Sequence, residues 1–253
     1  MKMIVTTSLG MDQDLVQEAK SLALDLSIDY IARDKQSVRR LLADRDGVFV
    51  VYRDRLVLER KGQQALFFHP DTAILRLKAD RDPLVELLGI GHKRIVDATL
   101  GMASDSIVMA AQGHDVVGIE SSQYIHYLVS KGLQSYQTGQ VMLDKALRSI
   151  QTIHQDNLSF LKSQKNNSFD IIYFDPMFSK QIEESRNLIG LNGLANPSRL
   201  TKELMREAQR VAAEKIIVKA HFKDSIFEDL GFVRHVRPNQ KFHYGEMCLE
   251  DKK

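Results

Sequence analysis

Arg94–Glu120 reads RIVDATLGMASDSIVMAAQGHDVVGIE. An apolar run stops at Asp97, the chain breaks at Gly101, and apolar residues return at helical spacing. Gly113 interrupts again, and a second apolar run stops on Glu120. A strand, a tight turn, a helix and a second strand tipped by an acid satisfy that order, which is one βαβ unit of a parallel sheet. Gly101 permits the tight turn and lets a ligand approach the backbone closely. Ser104 is placed to cap the helix, and Asp105 falls in its first turn, where negative charge is favourable.

The alternation continues beyond Glu120. A long helix is predicted from about Gln123, then a strand in SIQTIH, a helix in NLSFLKSQ and a strand in FDIIYFD. A helix in RLTKELMREAQRVAA and a strand in KIIVKA follow, and the end reads helix, strand, strand. This order predicts an α/β fold with a doubly wound, mostly parallel sheet. The last two strands lack a crossover helix between them and predict an antiparallel edge. Upstream, MIVTTS, IDYIAR, the hairpin GVFVVYRDRLVLER and QALFFH supply short strands around the helical patterns QDLVQEAKSLALDL and SVRRLLAD. The predicted division is a small N-terminal α/β domain (1–75), a helical connection (76–92) and a ligand-binding domain (93–253).

Composition bounds the function. Of 253 residues, 43% are hydrophobic, enough for a real core and too many for a disordered chain. No apolar run approaches the ~20 residues of a membrane span, and the opening MKMIVTTSLGMDQD has too short an apolar stretch for a secretory signal. One cysteine, Cys248, excludes an intrachain disulfide and a cysteine-based zinc site. A cytoplasmic setting is expected, and no metal is needed. The net charge of +2 announces no nucleic acid. The local clusters RDKQSVRR (33–40) and RHVRPNQK (234–241) read first as solvated surface, with phosphate contact as the sharper alternative.

In such a sheet, ligands bind outside the carboxyl ends of the strands. Four polar interruptions fall at those ends: Asp97 with Gly101, Glu120, Asp156 with Asn157, and Asp175 with Pro176. One acid after a strand is usually a turn former or a helix cap; four along one sheet call for a ligand. Glu120 lies about 20 residues beyond the turn, where an acid accepts hydrogen bonds from a ribose diol. The ligand is therefore expected to be a nucleoside. A dinucleotide fits poorly, because DATLGMASD lacks the G-x-G-x-x-G fingerprint, and Asp97 and Asp105 would repel a pyrophosphate. They suit the cationic sulfonium and ammonium of S-adenosylmethionine. Asp156 would then accept from the adenine amine, with the Asn157 backbone nearby.

The most specific tetrapeptide is Asp175-Pro176-Met177-Phe178, which resembles the Asp/Asn-Pro-Pro-aromatic motif of amine-directed methyltransferases. An exocyclic amine on a base is a weak nucleophile, because its lone pair is delocalised into the ring. The Asp175 carboxylate and the Pro176 carbonyl can accept its two hydrogens, turning the lone pair towards the methyl donor. Phe178 can stack on the base.

Together, DATLGMASDS…GIE and YFDPMF resemble the RsmJ-type small-subunit ribosomal RNA guanine methyltransferases over about residues 93–179. The opening third, with FFHPDTAILRLK, resembles related uncharacterised bacterial proteins sharing that core. The resemblance implies a seven-stranded Rossmann-like sheet, S-adenosylmethionine as cofactor and an RNA partner, ribosomal RNA or a ribosomal subunit. It implies Asp97, Gly101 and Asp105 around the methionine part, Glu120 on the ribose, Asp156 on the adenine, and Asp175 to Phe178 at the target amine. The chain departs from the family at Gly101-Met102-Ala103-Ser104-Asp105, where Gly-Leu-Gly-Arg-Asp is usual, at SKQIEESRNLIGLNGLANPS after the tetrapeptide, which is more acidic and longer in character than the basic segment usual there, and at VKAHF. These departures leave the cofactor reading in place and open the nucleotide target.

Lesser signals read as structure first. Lys180, Lys219, His221 and His243 are strand-end or surface residues before they are phosphate or base contacts. Tyr124, Tyr127 and Tyr136 are spaced for packing, and 179–198 reads as a lid or a plain connection. Three alternatives stay open at this point: an adenine-amine methyltransferase acting on DNA or transfer RNA, a nicotinamide oxidoreductase, and a non-catalytic RNA-binding protein that keeps the fold.

Overall fold

A computed structural model describes residues 1–10, 12–176 and 200–249. Two sheets organise them. The smaller has the order β2-β1-β3-β4-β5, from β1 (Met3–Thr7), β2 (Asp29–Tyr30), β3 (Gly47–Val51), β4 (Leu56–Arg60) and β5 (Leu66–Phe67). β1 runs parallel to β2 and β3, and β3–β4 is the expected hairpin. Its helices are α1 (Gln13–Asp25) and α2 (Val38–Leu41). Two short helices, α3 (Asp71–Leu77) and α4 (Pro83–Leu88), lead to the larger sheet.

That sheet has seven strands in the order β11-β12-β10-β9-β6-β7-β8. Its parallel part is β6 (Arg94–Asp97), β7 (Asp115–Glu120), β8 (Gln151–His154), β9 (Phe169–Phe174) and β10 (Ala212–His221). The helices are α5 (Ser104–Ala111), α6 (Gln123–Ser135), α7 (Val141–Ser149), α8 (Asn157–Ser163), α9 (Lys202–Val211) and α10 (Ile226–Asp229). The antiparallel edge forms as expected: β12 (Phe242–Cys248) returns beside β10, and β11 (Val233–His235) pairs outside it. Helix α7 is an addition to the elements expected from the sequence, although Leu143, Ala146 and Leu147 are buried at i, i+3 and i+4. Among the described residues, no helix is long and apolar enough to cross a membrane.

The central strands are apolar on both faces, as a covered parallel sheet requires. Ile95, Ile171 and Ile217 join one core cluster, and their neighbours Val96, Ile172 and Val218 join another on the opposite face. The first cluster does not stop at the large sheet; it includes Met3, Phe49, Leu58 and Phe68 of the N-terminal third. Tyr124 and Tyr136 belong to this junction, their rings 6.1 Å from Phe49 and 5.9 Å from Phe68, so they pack as the spacing predicted. Gly132 on α6 permits the closest approach: a Cβ there would lie 2.1 Å from Phe68 Cγ. Gly132→Ala should therefore cost about 1–3 kcal/mol of stability, the usual range for overpacking a core. Urea unfolding would measure it, and an unchanged midpoint would mean that Phe68 moves aside freely.

β6 sits where the winding reverses: β7 and β8 extend the sheet on one side, β9 and β10 on the other. A doubly wound sheet opens a crevice at that point, outside the carboxyl ends of the strands.

Candidate active site

The crevice is a cavity of 690 Å³ whose lining includes Asp97, Gly101, Ser104, Asp105, Glu120, Asp156, Asn157, Asp175 and Pro176. The topology thus brings together nine of the ten candidate residues. Phe178 lies outside the described residues, as do Lys180 and the segment 179–198.

The turn after β6 is built from local bonds. Gly101 has φ +49° and Ala103 φ +62°, a left-handed region that costs a non-glycine residue energy. Leu100 N donates to Ile119 O (3.0 Å), and Ala103 N donates to Leu100 O (2.8 Å). Here the structure corrects one expectation. The residue before the first turn of α5 is Ala103, no side chain caps the helix, and the buried Ser104 Oγ has no hydrogen-bond partner among the described residues. Ser104 stands one position inside the helix, where its side chain no longer reaches back to cap the first turn.

Asp97 is buried at the tip of β6; its carboxylate accepts from Thr99 N (3.1 Å) and Ser106 Oγ (2.6 Å). Burial pushes its carboxyl up to about 7; Ser106 opposes the shift, and the charge of Asp105 reinforces it. An acid raised in the folded state takes up its proton there before the unfolded chain does, so its carboxylate costs stability as pH rises from about 4 towards 7. Asp97→Asn keeps an acceptor oxygen and removes that cost. Its melting temperature should exceed the parent's at pH 8 and match it near pH 4. An equal difference at both pH values would show that the charge is not the cause.

Glu120 ends β7 and reaches back over the turn, accepting from Ser122 N (2.7 Å) and Gly101 N (3.2 Å). Burial raises its carboxyl above the usual range, against those donors. Each oxygen keeps capacity for a further hydrogen bond. Asp156 caps α8, accepting from Ser159 N (3.0 Å) and Ser159 Oγ (3.1 Å) through one oxygen. Asn157 Nδ2 donates to Ala98 O (3.2 Å), tying the start of α8 to the end of β6.

Asp105 is the centre of a charged cluster. One of its oxygens accepts from Arg76 of α3; the other accepts from Tyr173 Oη (2.9 Å) and Lys219 Nζ (2.9 Å). Burial alone would raise its carboxyl, but Lys219 and Arg76 hold it well below the carboxylate range. Lys219 also donates to Asp175 Oδ2 (2.7 Å), and Asp175 N donates to Thr99 Oγ1 (2.6 Å). Burial and Asp105 lift Asp175 above the usual range, although Lys219 pulls the other way. For Lys219 itself, burial is outweighed by the two carboxylates, and its ammonium is held above its normal range.

Lys219 is therefore not the surface residue that a strand-end lysine suggests. A signal was available: it is the one cation inside the run IIVKA of a central strand, where a charge needs a partner. Arg76, Tyr173 and Thr99 gave no signal. His221 packs against Phe222 with ring centroids 4.7 Å apart, and His243 bonds Arg234 Nε (3.1 Å) and Arg237 O (3.2 Å). Neither lines the cavity.

A family model described as "Putative SAM-dependent methyltransferase" matches residues 53–231. The Bacillus subtilis protein YpiP is 36% identical over 252 residues, covering 96% of this chain and 98% of its own. Ribosomal RNA small subunit methyltransferase J of Desulfotalea psychrophila is 24% identical, covering 81% of this chain and 82% of its own. Among solved structures, the SAM-dependent methyltransferase NGO1261 of Neisseria gonorrhoeae superimposes with a TM-score of 0.62 at 15% identity, covering 98% and 97% of the two chains; this likeness is one of fold.

Proposed function

The chain belongs to the SAM-dependent methyltransferase family, and from that premise we propose that its methyl acceptor is an exocyclic amine of an RNA base, guanine in small-subunit ribosomal RNA before others. Membership sets aside the nicotinamide oxidoreductase and the non-catalytic reading. The observation that carries the proposal is Asp175: a carboxylate followed by proline at the tip of β9, lining the same cavity as the Glu120 rim. The RNA part is supported by the relatives that bear the name ribosomal RNA small subunit methyltransferase J.

The cavity fits S-adenosylmethionine. Its volume of 690 Å³ lies in the range of small-molecule sites, and its lining includes Ser104 and the acids Asp97 and Glu120. When bound, the cofactor supplies a methyl group on a positively charged sulfur. In this reading Glu120 accepts from the ribose hydroxyls, while Asp97, Gly101 and Ser104 meet the methionine part. Asp156 offers its remaining oxygen to the adenine amine, beside Asn157. Asp105, already paired with Arg76 and Lys219, acts in this reading by holding Lys219 rather than by touching the ligand. Asp175 and the Pro176 carbonyl accept the hydrogens of the acceptor amine, and Phe178 follows in the sequence as the stacking ring. The target base reaches this pocket from a single strand or by flipping.

Incubating the protein with labelled methyl donor and either total RNA, ribosomal subunits, transfer RNA or DNA, then digesting to nucleosides for mass spectrometry, tests the proposal. Label in N2-methylguanosine from small-subunit RNA is expected. Label in methyladenosine of DNA or transfer RNA would move the substrate, and label on a ring carbon or a ribose oxygen would overturn amine transfer.

The same reading treats residues 1–75 as a unit that helps hold RNA. Of the basic cluster, Arg33 is already engaged, donating to Gln36 O (2.6 Å) and Thr7 O (3.1 Å), while Lys35, Arg39 and Arg40 are exposed. Reversing those three charges should weaken RNA binding and lower the salt slope by about one for each phosphate left without its cation. Cofactor affinity should not change. An unchanged slope would return the cluster to plain surface.

A further inference from the structure

We propose that Lys219 is the positioning residue of the acceptor site: its ammonium holds Oδ2 of Asp175 beside Asp105, so that Oδ1 is the oxygen presented to the acceptor's amine. The inference rests on the amine-methylation reading above and names a residue that the reading does not require.

The geometry has three parts. Lys219 lies on β10, one residue beyond the Val218–Phe174 pair that joins β10 to β9, so it rises beside Asp175. Its Nζ is 2.7 Å from Asp175 Oδ2 and 2.9 Å from Asp105 Oδ2, with the side chain only 20% exposed. The Lys219 bond falls on Oδ2 of Asp175, which leaves Oδ1 as the carboxylate oxygen that Lys219 does not hold.

The clamp is braced from behind. Asp105 is held by Tyr173 (2.9 Å) and Arg76, and Arg76 is held in turn by Asp82 through two bonds (2.7 and 3.0 Å). Lys219 thus stays tethered to Asp105 whatever Asp175 does, and an incoming amine meets an acid with one oxygen already fixed. Fixing one oxygen sets the plane of the carboxylate, and orientation of a reacting group within the site is worth rate.

Charge supplies the second half of the argument. The titratable groups around this pair are Asp105, Asp97, Tyr173, Tyr244, Arg76 and Asp82. Asp105 and Asp97 are acids close to Asp175, and Arg76 is already shared between Asp82 and Asp105. Among the described residues, Lys219 is the cation that bonds Asp175 directly. Without it, a buried carboxyl beside a second carboxylate would hold its proton at neutral pH. A protonated Asp175 donates a hydrogen bond where the amine needs an acceptor.

The test uses the full chain carrying ¹³C at aspartate carboxyl carbons, titrated by NMR, with the Asp175 signal assigned by its loss in Asp175→Asn. In Lys219→Met the Asp175 midpoint should rise by about one pH unit or more, and Lys219→Arg should bring it back towards the parent value. The acid limb of the methyl-transfer profile should move with it. Turnover at pH 7 should fall at least about tenfold, while calorimetry with S-adenosylhomocysteine stays within about threefold of the parent. If Lys219→Met does not fold, Lys219→Gln gives the same comparison. An Asp175 midpoint unmoved in a folded variant overturns the proposal and leaves amine transfer standing. A moved midpoint in a protein that methylates no amine keeps the clamp and overturns amine transfer instead.

Discussion

Asp175→Ala is expected to cut methyl transfer by about 100- to 1,000-fold, the usual cost of losing one preorganised group that acts on developing charge, with cofactor affinity nearly intact. The cofactor side of the cavity does not lean on the Asp175 carboxylate. The turn is tied by Leu100, Ala103 and Glu120, and Thr99 Oγ1 bonds the Asp175 backbone rather than its side chain. Lys219 keeps Asp105 as a partner, so the alanine leaves no stranded cation. The amine hydrogens become more acidic only as nitrogen attacks, so the acid's contribution grows towards the transition state and appears in turnover rather than in binding. Asp175→Asn retains an oxygen and should keep more activity than alanine. Single-turnover assays with RNA and calorimetry with the cofactor separate the two quantities. Methylation at the parent rate by the alanine variant would reduce Asp175-Pro176 to a turn. If Phe178 stacks on the base as proposed, Phe178→Ala should act differently, raising the RNA concentration needed for half-maximal rate, since such stacking is worth about 1–3 kcal/mol.

Glu120→Ala should weaken S-adenosylmethionine by about 100-fold or more. Hydrogen bonds to a charged group contribute about 1.5–3 kcal/mol each, in the proposed role two ribose hydroxyls lose theirs, and every 1.4 kcal/mol is tenfold. A further loss comes from the protein, because Glu120 Oε2 also holds Gly101 N at 3.2 Å and so braces the turn. Glu120→Gln, with one acceptor oxygen and no charge, should fall between. Burial raises the Glu120 carboxyl, and the ionised form is the one that accepts from both hydroxyls. Affinity should therefore fall on acidification, at a higher pH than a solvent-exposed glutamate near 4.3 would give. Calorimetry across pH measures this, and an affinity indifferent to both the substitution and pH would remove Glu120 from the ribose.

The strand tips were legible in the sequence because they are local. Asp97, Glu120 and Asp175 each follow an apolar run, and an apolar run bounded by turn residues is itself the strand signal; Asp156 follows the short, mixed strand SIQTIH. Once those runs alternate with helices, chain order alone sets the winding of the sheet and the end at which ligands bind. The same locality explains one error. Ser104 matched the pattern of a helix cap, but the turn needed a left-handed residue before the helix, and Ala103 took that place.

Adjacency in space decided what pattern could not. Asp105 read as a first-turn acid near a cationic ligand; in the fold it is the shared partner of Arg76, Tyr173 and Lys219. Those partners stand 29, 68 and 114 residues away along the chain, and Lys219 stands 44 from Asp175. No periodicity spans such separations. The charge state of a buried acid depends on which cations the fold sets beside it, and that is fixed by the placement of β10 against β9 and of α3 against α5 rather than by any residue's neighbours in sequence.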